Sequence, residues 1–253
     1  MPQLSKPCTL VRPDGETIAY HATAGNGAGA ATVVFLGGFM SDMGGTKAIA
    51  LQEWADQAGR GFVRFDYYGH GQSSGDFPKG TISRWAEDAI AVIDAVTTGP
   101  LVLVGSSMGG WVGLKAALAR PDRVHAFVGI APAPDFTEKL MWAGFPDHIR
   151  EKIMTEGAFA KPSDYDDEPY IISKALIEDG RENQLLDAPI ALNCPVRILQ
   201  GMQDPDVPWK HAFKLIDAID SDDLEFTLIK SGDHRLSAPA DTARLIRTIE
   251  ALL

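Results

Sequence analysis

Leu101-Val102-Leu103-Val104-Gly105-Ser106-Ser107-Met108-Gly109-Gly110 is the stretch from which the fold can be read. Four consecutive apolar residues without polar alternation read as a strand covered on both faces. Gly105 and Gly109 bracket Ser107, and a helical stretch that ends near Pro121 starts at once. A serine on a sharp strand-to-helix turn is held at the top of a parallel sheet, with its hydroxyl presented as a nucleophile. The glycines matter because a Cβ at either position would collide with the neighbouring strand and helix. The same spacing recurs at Gly71-Gln72-Ser73-Ser74-Gly75, so the motif alone does not choose. That copy follows a turn and runs into Asp76-Phe77-Pro78-Lys79-Gly80, which cannot open a helix directly. Ser107 is therefore read as the nucleophile and Ser73 as a turn residue.

Working outward, short apolar runs alternate with helical stretches. The expected strands are Val33–Leu36, Phe62–Phe65, Leu101–Val104, Ala126–Ile130, Val196–Leu199 and Leu224–Ile229. The expected helices lie near Gly45–Gly59, Ile82–Val96, Met108–Arg120, Lys210–Ile219 and Pro239–Leu252. This rhythm implies an α/β fold, a mostly parallel twisted sheet with helices on both faces. Thr9–Arg12 and Thr17–Thr23 flank the turn signal Pro13-Asp14-Gly15 and read as an antiparallel edge. From Pro132 to Pro195 the pattern contains no expected strand, only helical spacings such as Ile149 with Ile153 and Ile171-Ile172 with Ala175-Leu176. About sixty residues far exceed the dozen or more that a crossover needs. The expected organisation is a core of residues 1–134 and 196–253, with 135–195 inserted as a small helical cap.

A serine at neutral pH needs a base, and the base needs a carboxylate to orient it. Beyond the elbow, with room for an acid between, only His211 and His234 qualify. Asp204 directly follows the strand Val196–Leu199, and His234 follows the last strand in the same manner. Ligand sites of open parallel sheets form outside those carboxyl ends, so Ser107, Asp204 and His234 are expected to converge. Asp206 competes as the acid, but its place before Val207-Pro208 fits a turn. Asp233 is adjacent to His234 and poorly placed to reach its Nδ1. His211 is expected on the solvated face of a helix, and His70, in Gly69-His70-Gly71, as a structural turn histidine.

A developing oxyanion requires two preorganised N–H donors. The backbone N–H of Met108 supplies one, and that of Phe39, after Gly37-Gly38, the other. The aromatic and apolar residues Phe136, Met141, Trp142 and Phe145 are candidates to line an acyl pocket, with Leu140, Tyr165 and Tyr170 nearby. No metal and no cofactor is expected: there is no His-x-x-x-His or Cys cluster and no Gly-x-Gly-x-x-Gly opening a helix. The acidic run Asp164-Tyr165-Asp166-Asp167-Glu168 lacks the spacing of a calcium loop and reads as solvated surface.

Charge and cysteine content narrow the function classes. Among 253 residues, 23 Lys and Arg face 34 Asp and Glu, a net charge of -11 that disfavours a nucleic-acid partner. Two cysteines, Cys8 and Cys194, cannot build a disulfide framework or a zinc site, which suits a reducing compartment. The N-terminal residues lack an apolar or Arg-rich targeting segment, and the uncharged run Ala95–Leu114 breaks at Pro100 and the elbow, so no membrane span is expected. The expected location is cytoplasmic.

With these residues in view, nearly the whole chain resembles the α/β-hydrolase family. The similar segments include Thr46-Lys47-Ala48, Arg64-Phe65-Asp66-Tyr67, Val104-Gly105-Ser106-Ser107-Met108-Gly109-Gly110-Trp111, Asn193-Cys194-Pro195, Val207-Pro208-Trp209 and Asp233-His234-Arg235. They are similar to a mammalian mitochondrial branch that cleaves palmitoyl-protein thioesters and an acyl glucuronide. The resemblance implies nucleophile, acid and base at Ser107, Asp204 and His234, and a small-molecule or acyl-protein substrate. Gly37 departs from the branch, where a Pro is expected, and the insertion matches more loosely than the sheet. A bacterial-type relative that hydrolyses apolar acyl esters or thioesters is the expectation.

Overall fold

The structure is a computed structural model that describes residues 6–27, 29–162 and 169–253; Tyr165 and the acidic run 164–168 lie outside the described residues. The chain opens with β1 (Cys8–Val11) and β2 (Thr17–Thr23), followed by β3 (Thr32–Leu36), α1 (Thr46–Ala58) and β4 (Phe62–Phe65). Next come α2 (Ile82–Val96), β5 (Leu101–Ser106), α3 (Met108–Ala119) and β6 (Val124–Ile130). After an insertion, β10 (Val196–Gly201), α6 (Trp209–Ala218), β12 (Leu224–Ile229) and α7 (Pro239–Glu250) complete the sheet and its cover. The eight strands are ordered β1-β2-β4-β3-β5-β6-β10-β12, and β2 alone runs against its neighbours.

The continuous apolar runs have a direct cause in this layering. Side chains alternate across a strand, and both faces of this sheet are covered. Leu101 and Leu103 join the core under α2, α3 and α6 with Trp85, Trp111 and Leu215. Val102 and Val104 join the opposite core with Leu51 of α1 and Leu245 of α7. Helix ends differ from expectation by one or two residues, and at α1 the excess residues are caps: Gly45 precedes the helix, and Gly59, at φ 63°, closes it in the left-handed region.

The insertion departs from the sequence reading, since it contains strands. Within it are a π-helical turn (Thr137–Trp142), α4 (Asp147–Glu156), β7 (Ala158–Lys161), β8 (Tyr170–Ser173), α5 (Lys174–Glu182) and β9 (Ile190–Ala191). β7 and β8 pair antiparallel, and β9 pairs in parallel with β11 (Ile219–Asp220), which follows α6. Ile171 and Ile172 belong to β8 because Ser173 caps α5, its Oγ accepting the Leu176 N–H at 3.1 Å. Strands of four residues carry too little periodicity to separate strand from helix. Asp135 ties the start of the insertion to its end, its two carboxylate oxygens accepting the N–H groups of Leu185 and Leu186 at 2.8 and 3.0 Å.

Candidate active site

Ser107 occupies the turn between β5 and α3 with φ 54° and ψ −119°, a backbone setting that costs a side-chain-bearing residue roughly 1–3 kcal/mol. The turn is over-determined by its neighbours. Ser107 donates its N–H to Ile130 O at 2.9 Å, and Ala133 donates to Ser107 O at 3.0 Å. A Cβ on Gly105 would strike Gly109 O, and one on Gly109 would strike Leu36 O, so strand and helix close on the elbow as the glycine spacing requires. Ser73 sits elsewhere: its Oγ donates to Asp66 O at 2.6 Å and accepts the Ala19 N–H at 2.9 Å.

The ends of β10 and β12 bring the other two groups to this turn. Gly201 lies against the Gly232 carbonyl with no room for a Cβ, and Gln203 donates its N–H to that carbonyl at 2.9 Å. This close approach sets the two loops side by side. His234 Nδ1 lies 2.8 Å from Asp204 Oδ2, and its Nε2 lies 3.0 Å from Ser107 Oγ. Because a carboxylate only accepts, Nδ1 carries the ring proton and Nε2 is left to accept from the serine hydroxyl. The other Asp204 oxygen, Oδ1, accepts the N–H groups of Asp206 and Val207 at 2.9 and 2.8 Å. Asp206 thus caps Asp204 through its backbone and is among the residues lining the adjacent cavity. Asp233 accepts the Leu236 N–H at 2.8 Å from an exposed position.

Among the described residues, Asp204, Asp206 and His234 also form a set whose ligating atoms lie within 4.8 Å of one another. A cation there would compete with the imidazole for its carboxylate partner. His211, expected on a solvated helix face, is buried instead. Its Nε2 lies 2.8 Å from Pro134 O, and burial holds its pKa below the ordinary value. The ring turns inward because it ties α6 to the chain that leaves β6.

The loop after β3 approaches the elbow closely enough that a Cβ on Gly38 would lie 3.5 Å from Ser107 Cβ. The Phe39 N–H makes no hydrogen bond among the described residues. Met108 opens α3, so its N–H is one of the helix's unpaired N-terminal donors. Two buried groups hold the Phe39 loop. Asp66 accepts the Met43 N–H at 2.6 Å and the Gln72 N–H at 2.8 Å. His70 accepts the Met40 N–H on Nε2 at 3.2 Å and donates from Nδ1 to Tyr68 O at 3.1 Å. Burial depresses the His70 pKa to about 4, which keeps Nε2 an acceptor at neutral pH.

That depression has a measurable consequence for stability. The unfolded chain takes up this proton near pH 6.5, whereas the folded ring refuses it until about pH 4. The stability is fully present above 6.5 and is lost as pH falls towards 4, a gap worth about 3 kcal/mol. Urea unfolding of His70→Gln between those pH values should therefore show a shallower loss than wild type. Equal slopes would remove His70 from the account.

Beside the elbow lies a cavity of about 730 Å³. Phe39, Phe136, Leu140, Met141, Phe145 and Tyr170 form its apolar part, and Lys47, Lys161 and Arg235 with Asp42 and Asp206 a charged part of mixed sign. Trp142 is not among its lining residues; its ring stacks under the Arg181 guanidinium at 4.5 Å. Nothing in the sequence around Lys47 marks it as a site residue. Its Nζ donates to Arg235 O at 2.5 Å and to Ser237 Oγ at 3.2 Å, gripping the loop that carries His234. Burial lowers its pKa to about 8, against the opposing pull of Asp233.

The family model for serine aminopeptidase, S33, matches residues 27–166, more than half of the chain. The solved structure of mouse α/β-hydrolase domain-containing protein 10 superposes with a TM-score of 0.89 at 37% identity, covering 98% of both chains. This chain belongs to the α/β-hydrolase family. The hydrolase is also 38% identical over 245 residues to the mitochondrial palmitoyl-protein thioesterase ABHD10 of Homo sapiens, spanning 96% of this chain and 79% of the relative. A crystal structure from Agrobacterium vitis S4 superposes on it with a TM-score of 0.93 at 44% identity, covering 97% of both chains. Among the described residues of this α/β hydrolase, no helix is long and apolar enough to cross a membrane.

Proposed function

We propose that this protein is a serine esterase and thioesterase that forms an acyl-enzyme on Ser107. The observation that carries the reading is the unbroken chain from Ser107 Oγ through the His234 ring to Asp204. His234 Nε2 takes the serine proton as Oγ attacks the acyl carbonyl, and Asp204 orients and stabilises the imidazolium. The N–H groups of Phe39 and Met108 receive the oxyanion. His234 then delivers its proton to the departing thiolate or alkoxide, and activates water to free the acid. Residues 135–195 act as a cap over this reaction.

The apolar part of the cavity supports an acyl chain or an aromatic acid as the acyl group, each buried methylene contributing about 0.8 kcal/mol. Thioesters have weak carbonyl resonance and a good leaving group, and acyl glucuronides are activated esters, so both suit this machinery. The thioesterase name of the human relative supports the same substrate class. Two free cysteines, Cys8 and Cys194, support a reducing compartment; we assign the cytoplasm, while the curated thioesterase relatives are mitochondrial.

The test is a series of thioester and p-nitrophenyl substrates from acetyl to palmitoyl, run beside aryl amides. In wild type kcat/KM should rise with chain length until the cavity is full, and Phe145→Ala should move that limit to longer chains. Amides should be poor, because amine expulsion demands stronger acid assistance. A flat profile would overturn the acyl-cavity reading. A preference for amides, as the description of the matching family suggests, would favour a peptidase.

A further inference from the structure

Gln200 is the penultimate residue of β10 and is fully buried. Its side-chain nitrogen faces three oxygens: Asp204 Oδ2 and Val207 O, each at 3.0 Å, and Gly201 O at 3.3 Å. Its side-chain oxygen is buried and, among the described residues, has no hydrogen-bond partner. The amide therefore has one tenable orientation, since reversal would set Oε1 against three acceptors. It holds that orientation although a buried acceptor without a partner costs free energy. Every favourable contact lies on the donor side, and the charged acceptor there gives the strongest of them. That acceptor is Oδ2, the same oxygen that receives the His234 Nδ1–H.

We propose that Gln200 is a positioning residue of the reaction, its amide donor pinning Asp204 Oδ2 so that the carboxylate meets the His234 ring in one geometry. The proposal rests on the reading of Asp204 as the acid. With Gln200 in place, both Asp204 oxygens are held by donors besides His234: Oδ1 by the Asp206 and Val207 N–H groups, and Oδ2 by the amide. Without it, Oδ2 has the imidazole alone. The carboxylate is then free to rotate about its Oδ1 contacts, and its hold on the ring relaxes.

Two variants test this. Gln200→Met keeps the length and removes the donor. Its kcat should fall by roughly 10- to 100-fold with little change in KM, well short of the loss expected on removing the acid function. Gln200→Glu keeps the shape but donates only while protonated. Two adjacent buried carboxylates share one proton, so this variant should work near the wild-type rate while the introduced carboxyl group holds that proton. As it is lost, the kcat–pH profile should acquire an alkaline limb absent from wild type. If the side chain only filled space or satisfied the Val207 carbonyl, its replacement would lower the melting temperature without altering kcat or its pH profile.

The proposal is overturned if folded Gln200→Met keeps the wild-type kcat, or if Gln200→Glu shows the wild-type pH profile. If the methionine variant fails to fold, the alkaline limb of the glutamate variant decides alone. Asp204→Asn is the reference. If Asp204→Asn retains full kcat, the reading of the acid has failed. If Asp204→Asn is crippled while both Gln200 variants behave as wild type, only the role of Gln200 has failed. In the Asp204→Asn background, Gln200→Met should add little further loss, because both act through one carboxylate.

Discussion

Replacing Ser107 by Ala should lower kcat by about a millionfold and abolish labelling by a fluorophosphonate probe. The remaining turnover should be the roughly 10³- to 10⁴-fold advantage over water that an oxyanion hole and binding retain without a nucleophile. Folding should not be the cause of the loss. Alanine keeps the Cβ, and the hydrogen bonds of the turn run through the backbone, from Ser107 N to Ile130 O and from Ala133 N to Ser107 O. Ser73→Ala is the matched control. It removes a hydroxyl that bridges Asp66 O and the Ala19 N–H, so it should lower stability and leave kcat of the folded protein near wild type. If folded Ser73→Ala is inactive while Ser107→Ala still turns over and is labelled, the elbow has been assigned to the wrong serine.

The second large effect concerns the acid. Asp204→Asn should cost about 10⁴-fold in kcat, because an amide can stabilise the wrong imidazole tautomer and leave Nε2 unable to accept the serine proton. Asp206→Asn should be mild, since the N–H that residue 206 donates to the Asp204 carboxylate is a backbone group, which asparagine keeps. Steady-state kinetics of both variants on one activated ester decide the matter. Comparable severe losses would mean that the two carboxylates share the role.

Much of this was legible because the chemistry depends on chain features that are local. The elbow needs two glycines at fixed spacing on a strand–helix junction, and Gly105 and Gly109 are tight against Gly109 O and Leu36 O as that spacing demands. The buried strands announce themselves because both faces are covered, so Leu101 to Val104 show no polar alternation. What escaped depends on partners far away in the chain. His211 reads as solvated until its ring meets Pro134 O, 77 residues earlier. Trp142 reads as a pocket aromatic until Arg181 stacks on it. Nothing in a lone glutamine near the end of a strand signals Gln200, because its role exists only once the turn 201–207 folds Asp204 back onto it. The β7–β8 pair is not legible because its strands have four residues each, and Ser173 shows itself as a helix cap only once its Oγ accepts the Leu176 N–H.

The site draws its parts from sheet positions that the chain reaches at widely separated times. Ser107 and His234 are 127 residues apart, and the strand before His234 joins the sheet only through β10, which itself docks on β6 across the insertion. Closing such distant pairs is the slow part of folding a non-local topology. Under the proposed function, hydrolytic competence should therefore be a late event, absent from collapsed or half-assembled chains that already contain the elbow and its serine. Fluorophosphonate labelling should then count molecules that have completed the sheet, and the rate at which it appears during refolding should report the docking of β12.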